Sequence, residues 1–299
     1  MKYTFLKIHN CNMCDNLTNS HTVLGKRLNQ SQGKNPKSKT GITTTVAQCS
    51  NCGLIYSNPQ PIPNNIQDHY GVLPESYWTE EYFKTDSNYF INEIDQLQLI
   101  KPWQPGQKAL DIGAGLGKCM IALEGRKYDV YGFEPSTQFY EKAIQRMGIN
   151  KEKLRLSTIE EISYQKDTFD FITFGAVLEH LYNPDVCLKK AFSWLKKDGI
   201  IHIEVPSSNW VIGKIVNLYY KLIGTDYVTN LSPMHSPFHL YEFSLQSFKE
   251  NAKINNYEIA CYTYYPCQTF MPKFLDIPLK LYMKKTNTGM QLAVWLRKK

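Results

Sequence analysis

The stretch from Lys108 to Gly117, K-A-L-D-I-G-A-G-L-G, constrains the fold of this chain more than any other. Ala109, Leu110 and Ile112 predict a short buried strand, and the closely spaced glycines that follow predict a tight turn. The turn opens a predicted helix, Lys118 to Gly125. Glycine allows positive φ and a close approach of the backbone to a ligand, and the first N–H groups of a helix have no partner within it. This arrangement suits a nucleotide-like ligand.

An acidic residue follows the turn at a suitable distance. A second apolar strand, Asp129 to Phe133, ends just before Glu134, whose carboxylate could accept hydrogen bonds from ribose hydroxyls. A dinucleotide fold requires G-x-G-x-x-G, whereas this chain has G-x-G-x-G, preceded by Asp111. A strand-to-helix turn without a ligand is the alternative, and the agreement in spacing between the glycines, the acid and the later strands disfavours it.

The sequence L-D-I-G-A-G-L-G, followed by G-F-E-P-S, resembles the first two motifs of class I S-adenosylmethionine-dependent methyltransferases. The resemblance implies that Asp111 and the glycines hold the methionine half of S-adenosyl-L-methionine and that Glu134 binds its ribose. It also implies that Thr158 and the backbone of Ile159 close over the adenine, although the acidic residue usual at the start of that motif is absent. The implied cofactor-binding residues are Asp111, Gly113, Ala114, Gly115, Gly117, Glu134, Pro135, Thr158, Ile159 and Phe174.

The later segments agree with this resemblance. Phe169 to Ala176 predicts a buried fourth strand, and V-L-E-H-L-Y-N-P after it resembles the fourth motif of the family. The turn K-K-D-G then leads to a predicted fifth strand, Ile200 to Val205. Strand and helix alternate five times, which predicts a parallel sheet covered on both faces. Leu245 to Asn255 predicts a helix, and Tyr257 to Tyr265 and Met290 to Leu296 predict a terminal antiparallel pair. The expected fold class is therefore α/β: a Rossmann-like, seven-stranded methyltransferase sheet with helices on both faces.

Four of the eight cysteines form two knuckles of identical spacing, Cys11-x-x-Cys14 and Cys49-x-x-Cys52. Two residues between cysteines let a turn aim both thiolates at one ion, so the two knuckles predict a tetrahedral zinc site. Four cysteine ligands leave no position for water, so we expect structural Zn²⁺. A redox interpretation is weaker because neither pair lies at a strand-to-helix junction. Paired knuckles ahead of such a domain are similar to the N-terminal zinc module of sugar methyltransferases.

The length of 299 residues accommodates one large α/β core and one small module. We expect a zinc-binding module in residues 1–60, a linker and helical cap in 61–105, and the methyltransferase domain in 106–299, with a lid insertion at 207–240. The resemblance implies that the region containing the aromatic stretch His69 to Phe83 packs over the cofactor, where Tyr70, Tyr77 and Trp78 either contact the ligand or only pack against the protein. The insertion contains W-V-I-G-K-I-V-N-L-Y-Y-K-L-I-G, which is either a lid or core helix or an interfacial helix that contacts a membrane and a lipid-linked substrate.

Composition and charge limit the classes of protein to which this chain could belong. Hydrophobic residues make up 42% and charged residues 20% of the chain, which indicates a folded protein. The first ten residues lack the apolar core of a signal peptide and no run is long enough to span a bilayer, so we expect a cytoplasmic protein without a transmembrane segment. The net charge of +7 is concentrated in the first 60 residues, which contain seven Lys and Arg against one acid. That charge says little about the pocket of the larger domain.

The expected reaction is methyl transfer (EC 2.1.1 class) to a hydroxyl of a small-molecule acceptor such as a sugar, a surface-glycan intermediate or a lipid intermediate. A general base would remove the hydroxyl proton, and histidine suits that role near neutral pH. His180, which follows the fourth strand, is the first catalytic candidate and His239 the second, with Glu179 as a further possibility and packing roles as the alternative for each. An RNA methyltransferase that uses the basic module is a second hypothesis, which the absence of an N/D-P-P-Y/F motif after the fourth strand disfavours. A non-catalytic zinc-bearing scaffold is the third.

Overall fold

The computed structural model describes residues 3–30, 41–64, 78–86, 88–267, 269 and 271–299. Its strands are β1 Tyr3–Leu6, β2 Thr22–Leu28, β3 Thr43–Gln48, β4 Ile55–Ser57, β5 Gln60–Pro63, β6 Lys108–Ile112, β7 Asp129–Glu134, β8 Leu154–Leu156, β9 Phe169–Gly175, β10 Leu195–Pro206, β11 Tyr241–Glu242, β12 Tyr257–Tyr265 and β13 Gln291–Lys298. Its helices are α1 Glu80–Phe83, α2 Ile91–Ile100, α3 Lys118–Gly125, α4 Thr137–Gln145, α5 Pro184–Trp194, α6 Val211–Leu222, α7 Leu245–Asn255 and α8 Lys273–Thr286. Short 3₁₀ turns lie at Thr18–Ser20 and Leu178–His180.

A seven-stranded sheet carries the predicted methyltransferase topology. Its strand order is β12-β13-β10-β9-β6-β7-β8. The central strand β6 pairs in parallel with β7 and with β9, and β7 pairs in parallel with β8. The last strand of the chain, β13, lies between β12 and β10. The predicted α/β fold class with seven strands is therefore confirmed.

Local sequence signals explain where the helices of this sheet begin. The α3 helix begins after Gly117, whose φ of 77° no β-branched residue would adopt easily. The α4 helix begins after Ser136, which accepts a hydrogen bond from the N–H of Phe139 at 3.4 Å. The carboxyl ends of β6 and β7 lead into these two turns, and ligands of parallel sheets bind at that edge.

The chain divides into two compact units, neither of which is continuous in sequence. The first unit contains residues 1–64, 178–185 and 204–294, and the second contains 65–177, 186–203 and 295–299. In the first unit a four-stranded sheet has the order β11-β4-β3-β2, so a strand from late in the chain completes the sheet next to the cysteine knuckles. The predicted division at residues 60 and 105 stays a prediction.

Two elements differ from the sequence prediction. The fifth strand of the large sheet, β10, begins at Leu195 and includes K-K-D-G, which the sequence predicted as a turn. The α8 helix was not predicted, and it contains Pro278, a residue that is unfavourable in a helix interior. Among the described residues, no helix combines the length and the apolar character needed to cross a membrane.

Candidate cofactor and catalytic site

The glycine turn after β6 has the backbone geometry that the sequence predicted. Gly113, Gly115 and Gly117 have φ angles of 67°, 56° and 77°. A Cβ on Gly113 would lie 2.7 Å from the side chain of Val177, and one on Gly117 would lie 2.6 Å from Ile149. A Cβ on Gly115 would meet nothing within 4 Å, so the turn is open at its middle glycine. The two outer glycines allow close packing, and the middle one leaves backbone accessible to a ligand.

Glu134 ties the end of β7 to this turn. One carboxylate oxygen accepts a hydrogen bond from the N–H of Gly115 and the other accepts one from the N–H of Ser136, both at 2.8 Å. Burial raises the pKa of Glu134 to about 7, and the two N–H donors oppose that rise. Because a carboxylate oxygen accepts more than one hydrogen bond, Glu134 can hold the turn and still bind a hydroxyl pair.

Asp111 supplies a second, unsatisfied carboxylate close to the turn. Its side chain is almost fully buried, and its Oδ2 atom has no hydrogen-bond partner. Burial, and then the charge of Glu134, raise the pKa of Asp111 to about 8. A buried oxygen without a partner is costly, and a ligand that donates a hydrogen bond would remove that cost. The residues present therefore fit a cofactor with an ammonium group and a ribose, as S-adenosyl-L-methionine has.

The remaining predicted cofactor residues surround the same strand ends. The N–H of Ala114 donates to the carbonyl of Phe133 at 3.0 Å, and the N–H of Ser157 donates to the carbonyl of Glu134 at 3.1 Å. The second bond holds the segment that contains Thr158 and Ile159 beside β7. Pro135 is half-buried, Thr158 is half-buried, and Ile159 and Phe174 are buried.

The predicted contacts of these residues with the cofactor stay predictions. Most of the aromatic stretch expected to cover the cofactor, residues 69–77, lies outside the described residues. Trp78, which is described, packs edge-to-face on Phe139 with ring centroids 5.1 Å apart.

The two histidines predicted as catalytic candidates lie together around one buried carboxyl group. Glu179 Oε1 is 4.0 Å from Nε2 of His180 and 3.9 Å from Nε2 of His239, and the two imidazole rings meet edge-to-face at 5.1 Å. The N–H of Leu240 donates to the carbonyl of Glu179 at 2.9 Å, which fixes the segment containing His239 against the turn that contains His180. The sequence prediction named these three residues as individual candidates and did not indicate that they lie together.

Hydrogen bonding sets the tautomer of His180. Its Nδ1 lies 3.2 Å from the carbonyl of Phe238, and a carbonyl only accepts, so Nδ1 carries the proton. The lone pair is then on Nε2, the nitrogen nearer Glu179. Burial lowers the pKa of His180 to about 4 and that of His239 to about 3, and the neighbouring His180 lowers the latter further. Both rings are therefore neutral at pH 7 and can accept a proton.

The pKa of Glu179 is raised, whereas the pKa values of the two histidines are lowered. Glu179 is 1% exposed and its Oε2 atom has no hydrogen-bond partner. Burial raises its pKa to about 8. A carboxyl group that ionises near neutral pH next to two neutral imidazoles can stabilise an imidazolium when a proton arrives. The three side chains also place one potential ligand atom each within 4.8 Å of one another and could hold a metal ion.

The four predicted metal ligands converge in the first unit. The sulfurs of Cys11, Cys14, Cys49 and Cys52 all lie within 4.8 Å of one another. The Sγ–Sγ distance is 3.5 Å for Cys11 and Cys52 and 3.6 Å for Cys14 and Cys49. Zinc–sulfur bonds of about 2.3 Å in a tetrahedron place sulfurs about 3.8 Å apart. The group could therefore hold a metal ion of that kind with little rearrangement.

The two knuckles have the same backbone turn. The N–H of Asp15 donates to the carbonyl of Cys11, and the N–H of Gly53 donates to the carbonyl of Cys49, both at 2.9 Å. Asp15 and Gly53 have φ angles of 58° and 74°. Each left-handed residue turns the chain so that both cysteines of a knuckle face one point.

Polar side chains at the start of α7 and within it form hydrogen bonds with both knuckles. The sequence did not indicate this role. Ser244 and Ser247 donate to the carbonyl of Cys52 at 2.6 and 3.1 Å, and Asn251 donates to the carbonyl of Met13 at 2.9 Å. The two serines also form the capping box that starts α7. The capping signal in sequence predicts a helix start but does not reveal its distant partners.

Comparison with known proteins agrees with this geometry. The model of a family described as methyltransferase domain matches residues 87–262, which is more than half of the chain. The chain belongs to this family. The match runs from just before α2 into β12 and includes the glycine turn, Asp111, Glu134, His180 and His239, so the class I S-adenosylmethionine-dependent methyltransferase resemblance is confirmed.

Individual relatives of the methyltransferase domain are distant. A ubiquinone biosynthesis O-methyltransferase of Bradyrhizobium diazoefficiens is 28% identical over 43% of this chain and 49% of its own length. A 2-methyl-6-phytyl-1,4-hydroquinone methyltransferase of Oryza sativa is 22% identical over 57% of this chain and 54% of its own. The chain thus spans about half the length of these curated relatives. The crystal structure of the YcgJ protein from Bacillus subtilis matches 70% of this chain and 99% of its own with a TM-score of 0.47 and 18% identity.

Proposed function

We propose that this chain transfers the methyl group of S-adenosyl-L-methionine to a hydroxyl of a small molecule. The observation that carries the proposal is the cluster of Glu179, His180 and His239. A buried carboxyl group with two neutral imidazoles, one of which has a fixed tautomer, is a device for accepting a proton. Methylation of a hydroxyl requires such an acceptor, because the oxygen loses its proton as the new bond forms.

Each of these residues has a separate role in the proposed methyl transfer. When bound, the cofactor supplies an electrophilic methyl group on sulfur. Asp111 would accept a hydrogen bond from the amino group of its methionine half, and Glu134 would accept hydrogen bonds from its ribose hydroxyls. His180 Nε2 takes the proton of the acceptor hydroxyl, and Glu179 stabilises the imidazolium that results. Positioning of the acceptor hydroxyl by the surrounding residues would supply much of the rate.

The acceptor class is proposed from the family and the sequence. The two curated relatives are an O-methyltransferase of ubiquinone biosynthesis and a methyltransferase of a hydroquinone, as their names state. The resemblance of the cysteine knuckles to the zinc module of sugar methyltransferases adds sugars and lipid-linked sugar intermediates. Transfer of a labelled methyl group should be assayed with catechol, hydroquinone, a nucleoside diphosphate hexose and total RNA as acceptors. We expect label in one of the hydroxyl compounds and none in RNA, whereas label in RNA alone would overturn the proposal.

The pKa shifts predict an unusual pH profile. A histidine base with an ordinary pKa near 6.5 loses activity below neutral pH, but burial keeps His180 neutral down to a pKa of about 4. Glu179 ionises through a pKa of about 8. Its negative charge then makes the neighbouring imidazole a stronger base. Turnover should stay level from pH 6 to 7 and rise as the pH passes about 8.

The matched variant Glu179→Gln keeps the size of the side chain and removes its ionisation. We expect the rise near pH 8 to disappear in this variant while cofactor affinity is retained. The measurement is turnover of the acceptor found in the screen, between pH 5.5 and 9.5. A rise that persists in Glu179→Gln would contradict the role given to this carboxyl group.

We further propose that the four cysteines hold a structural Zn²⁺ and that residues 1–60 form the module built on it. Thiolate ligands favour zinc, and four of them leave no open position for substrate. Cys49→Ser should abolish stoichiometric zinc and lower the midpoint of thermal unfolding by roughly 10 °C or more, since structural zinc contributes directly to folding. Cys261→Ser, outside the cluster, is the matched control and should retain zinc. Full zinc content in Cys49→Ser would show that the cysteines are not the ligands.

A further inference from the structure

Helix α6 presents an apolar stripe that nothing among the described residues covers. Ile215, Leu218, Tyr219 and Leu222 are each more than half exposed, with Leu222 at 77%. Their spacing of i, i+3, i+4 and i+7 places them on one face of the helix. The stripe is therefore continuous along α6.

The opposite side of α6 holds the helix in place. Gly213 and Tyr220 are buried. The side-chain oxygen of Asn217 accepts a hydrogen bond from the N–H of Thr229 at 2.8 Å, and its amide donates to Asn230 at 2.7 Å. The helix is thus fixed by one face, while its apolar face remains outward.

Helix α8 also presents an exposed apolar stripe. Phe274, Ile277 and Leu281, at i, i+3 and i+7, are all more than 60% exposed, and Phe274 reaches 76%. Leu275 and Tyr282 extend the exposed apolar surface, and Met283 is the one residue of this helix that is buried. An isolated exposed leucine is ordinary, but two helices with continuous outward apolar stripes are not.

The two stripes belong to one compact unit and their helices adjoin at one end. Both helices lie within residues 204–294 of the first unit. The N–H of Val211, the first residue of α6, donates to the carbonyl of Thr288, two residues after the end of α8, at 3.2 Å. The two helices therefore meet at one end within the same unit.

The net charge of α6 and α8 indicates what kind of partner these two helices bind. The two helices contain six lysines, at positions 214, 221, 273, 280, 284 and 285, and one acid, Asp276. Asp276 is paired with Lys280 at 2.9 Å, so the surface has a clear excess of positive charge. Lys214 and Lys221 flank the stripe of α6, and Lys273, Lys284 and Lys285 lie at the two ends of α8.

We propose that α6 and α8 bind the surface of an anionic phospholipid bilayer, with their apolar stripes in the headgroup region and their lysines on the lipid phosphates. Apolar stripes bordered by lysine are characteristic of helices that lie in a membrane interface. A second copy of this chain is a poorer partner, because a symmetric contact would bring lysines against lysines. The proposal goes beyond the methyl-transfer function and does not depend on it, since it concerns vesicle binding without cofactor or acceptor.

The test is co-sedimentation of the 299-residue chain with vesicles of equal parts phosphatidylglycerol and phosphatidylcholine. We expect most of the protein in the pellet, at least tenfold less with phosphatidylcholine alone, and weaker binding in 0.5 M NaCl. The double variants Leu218→Ser with Leu222→Ser, and Phe274→Ser with Leu281→Ser, should each reduce binding at least tenfold. Leu99→Ser, at a residue 79% exposed on α2, is the matched control and should bind as the unchanged chain does.

Since all substituted side chains are exposed, thermal unfolding should be unaffected, and the same midpoint in every variant is part of the expected result. Protein that stays in the supernatant with anionic vesicles would overturn the proposal. So would equal losses in Leu99→Ser and the helix variants. A dimer in analytical ultracentrifugation that the helix variants dissociate, without vesicle binding, would assign the surface to a second copy instead.

Discussion

Replacing His180 by alanine should lower turnover by about a hundredfold or more while the dissociation constant for S-adenosylhomocysteine changes little. The reason is that, in the proposed reaction, the lone pair on Nε2 of His180 would accept the hydroxyl proton, and positioned general bases contribute rate factors of about 10²–10⁴. The loss should appear in kcat more than in KM, because the imidazole acts on the proton as it leaves. The measurement is steady-state methyl transfer with the acceptor identified by the screen.

Two further variants make this result specific. His9→Ala removes an exposed histidine from the same unit and should leave turnover unchanged. His239→Ala should cause a smaller loss than His180→Ala, because His239 shares the carboxyl group of Glu179 at 3.9 Å without a hydrogen bond shown to fix its tautomer. Normal turnover in His180→Ala would reduce this residue to a packing role.

Replacing Glu134 by alanine should weaken cofactor binding by about a hundredfold. Hydrogen bonds to a charged group contribute about 1.5–3 kcal/mol each, and in the proposal the carboxylate of Glu134 binds two ribose hydroxyls. It also holds the glycine turn through Gly115. The dissociation constant of S-adenosylhomocysteine, measured by calorimetry, is the readout.

Glu134→Gln keeps one acceptor oxygen and should give an intermediate loss. Glu141→Ala removes an exposed carboxylate from α4 and should bind as the unchanged protein does. An affinity in Glu134→Ala equal to that of Glu141→Ala would contradict the ribose assignment.

The parts of the fold that depend on local sequence could be predicted well. The apolar run of β6, the glycines after it and the capping serine of α7 act within a few residues, so α3 and α7 begin and end where the sequence placed them. The four cysteines could be assigned to one site because identical spacing predicts identical turns, which Asp15 and Gly53 provide.

The parts that depend on distant contacts could not be predicted. Glu179 and His239 are far apart in sequence, and no periodic pattern indicates that the bond from Leu240 to Glu179 brings them together. The bracing of the knuckles by Ser244 and Asn251 is of the same kind. In α8, the apolar spacing of Phe274, Ile277 and Leu281 is a usable helix signal that the sequence prediction did not use, although Pro278 weakens that signal.

The central claim is that S-adenosyl-L-methionine binds along the glycine turn between Asp111 and Glu134. A crystal structure with S-adenosylhomocysteine tests it most directly. We predict the ribose hydroxyls within hydrogen-bonding distance of Glu134 and the amino group of the ligand at the unsatisfied oxygen of Asp111. A glycine turn that stays empty at saturating ligand, or a ligand bound elsewhere with Asp111 still unpartnered, would contradict the account.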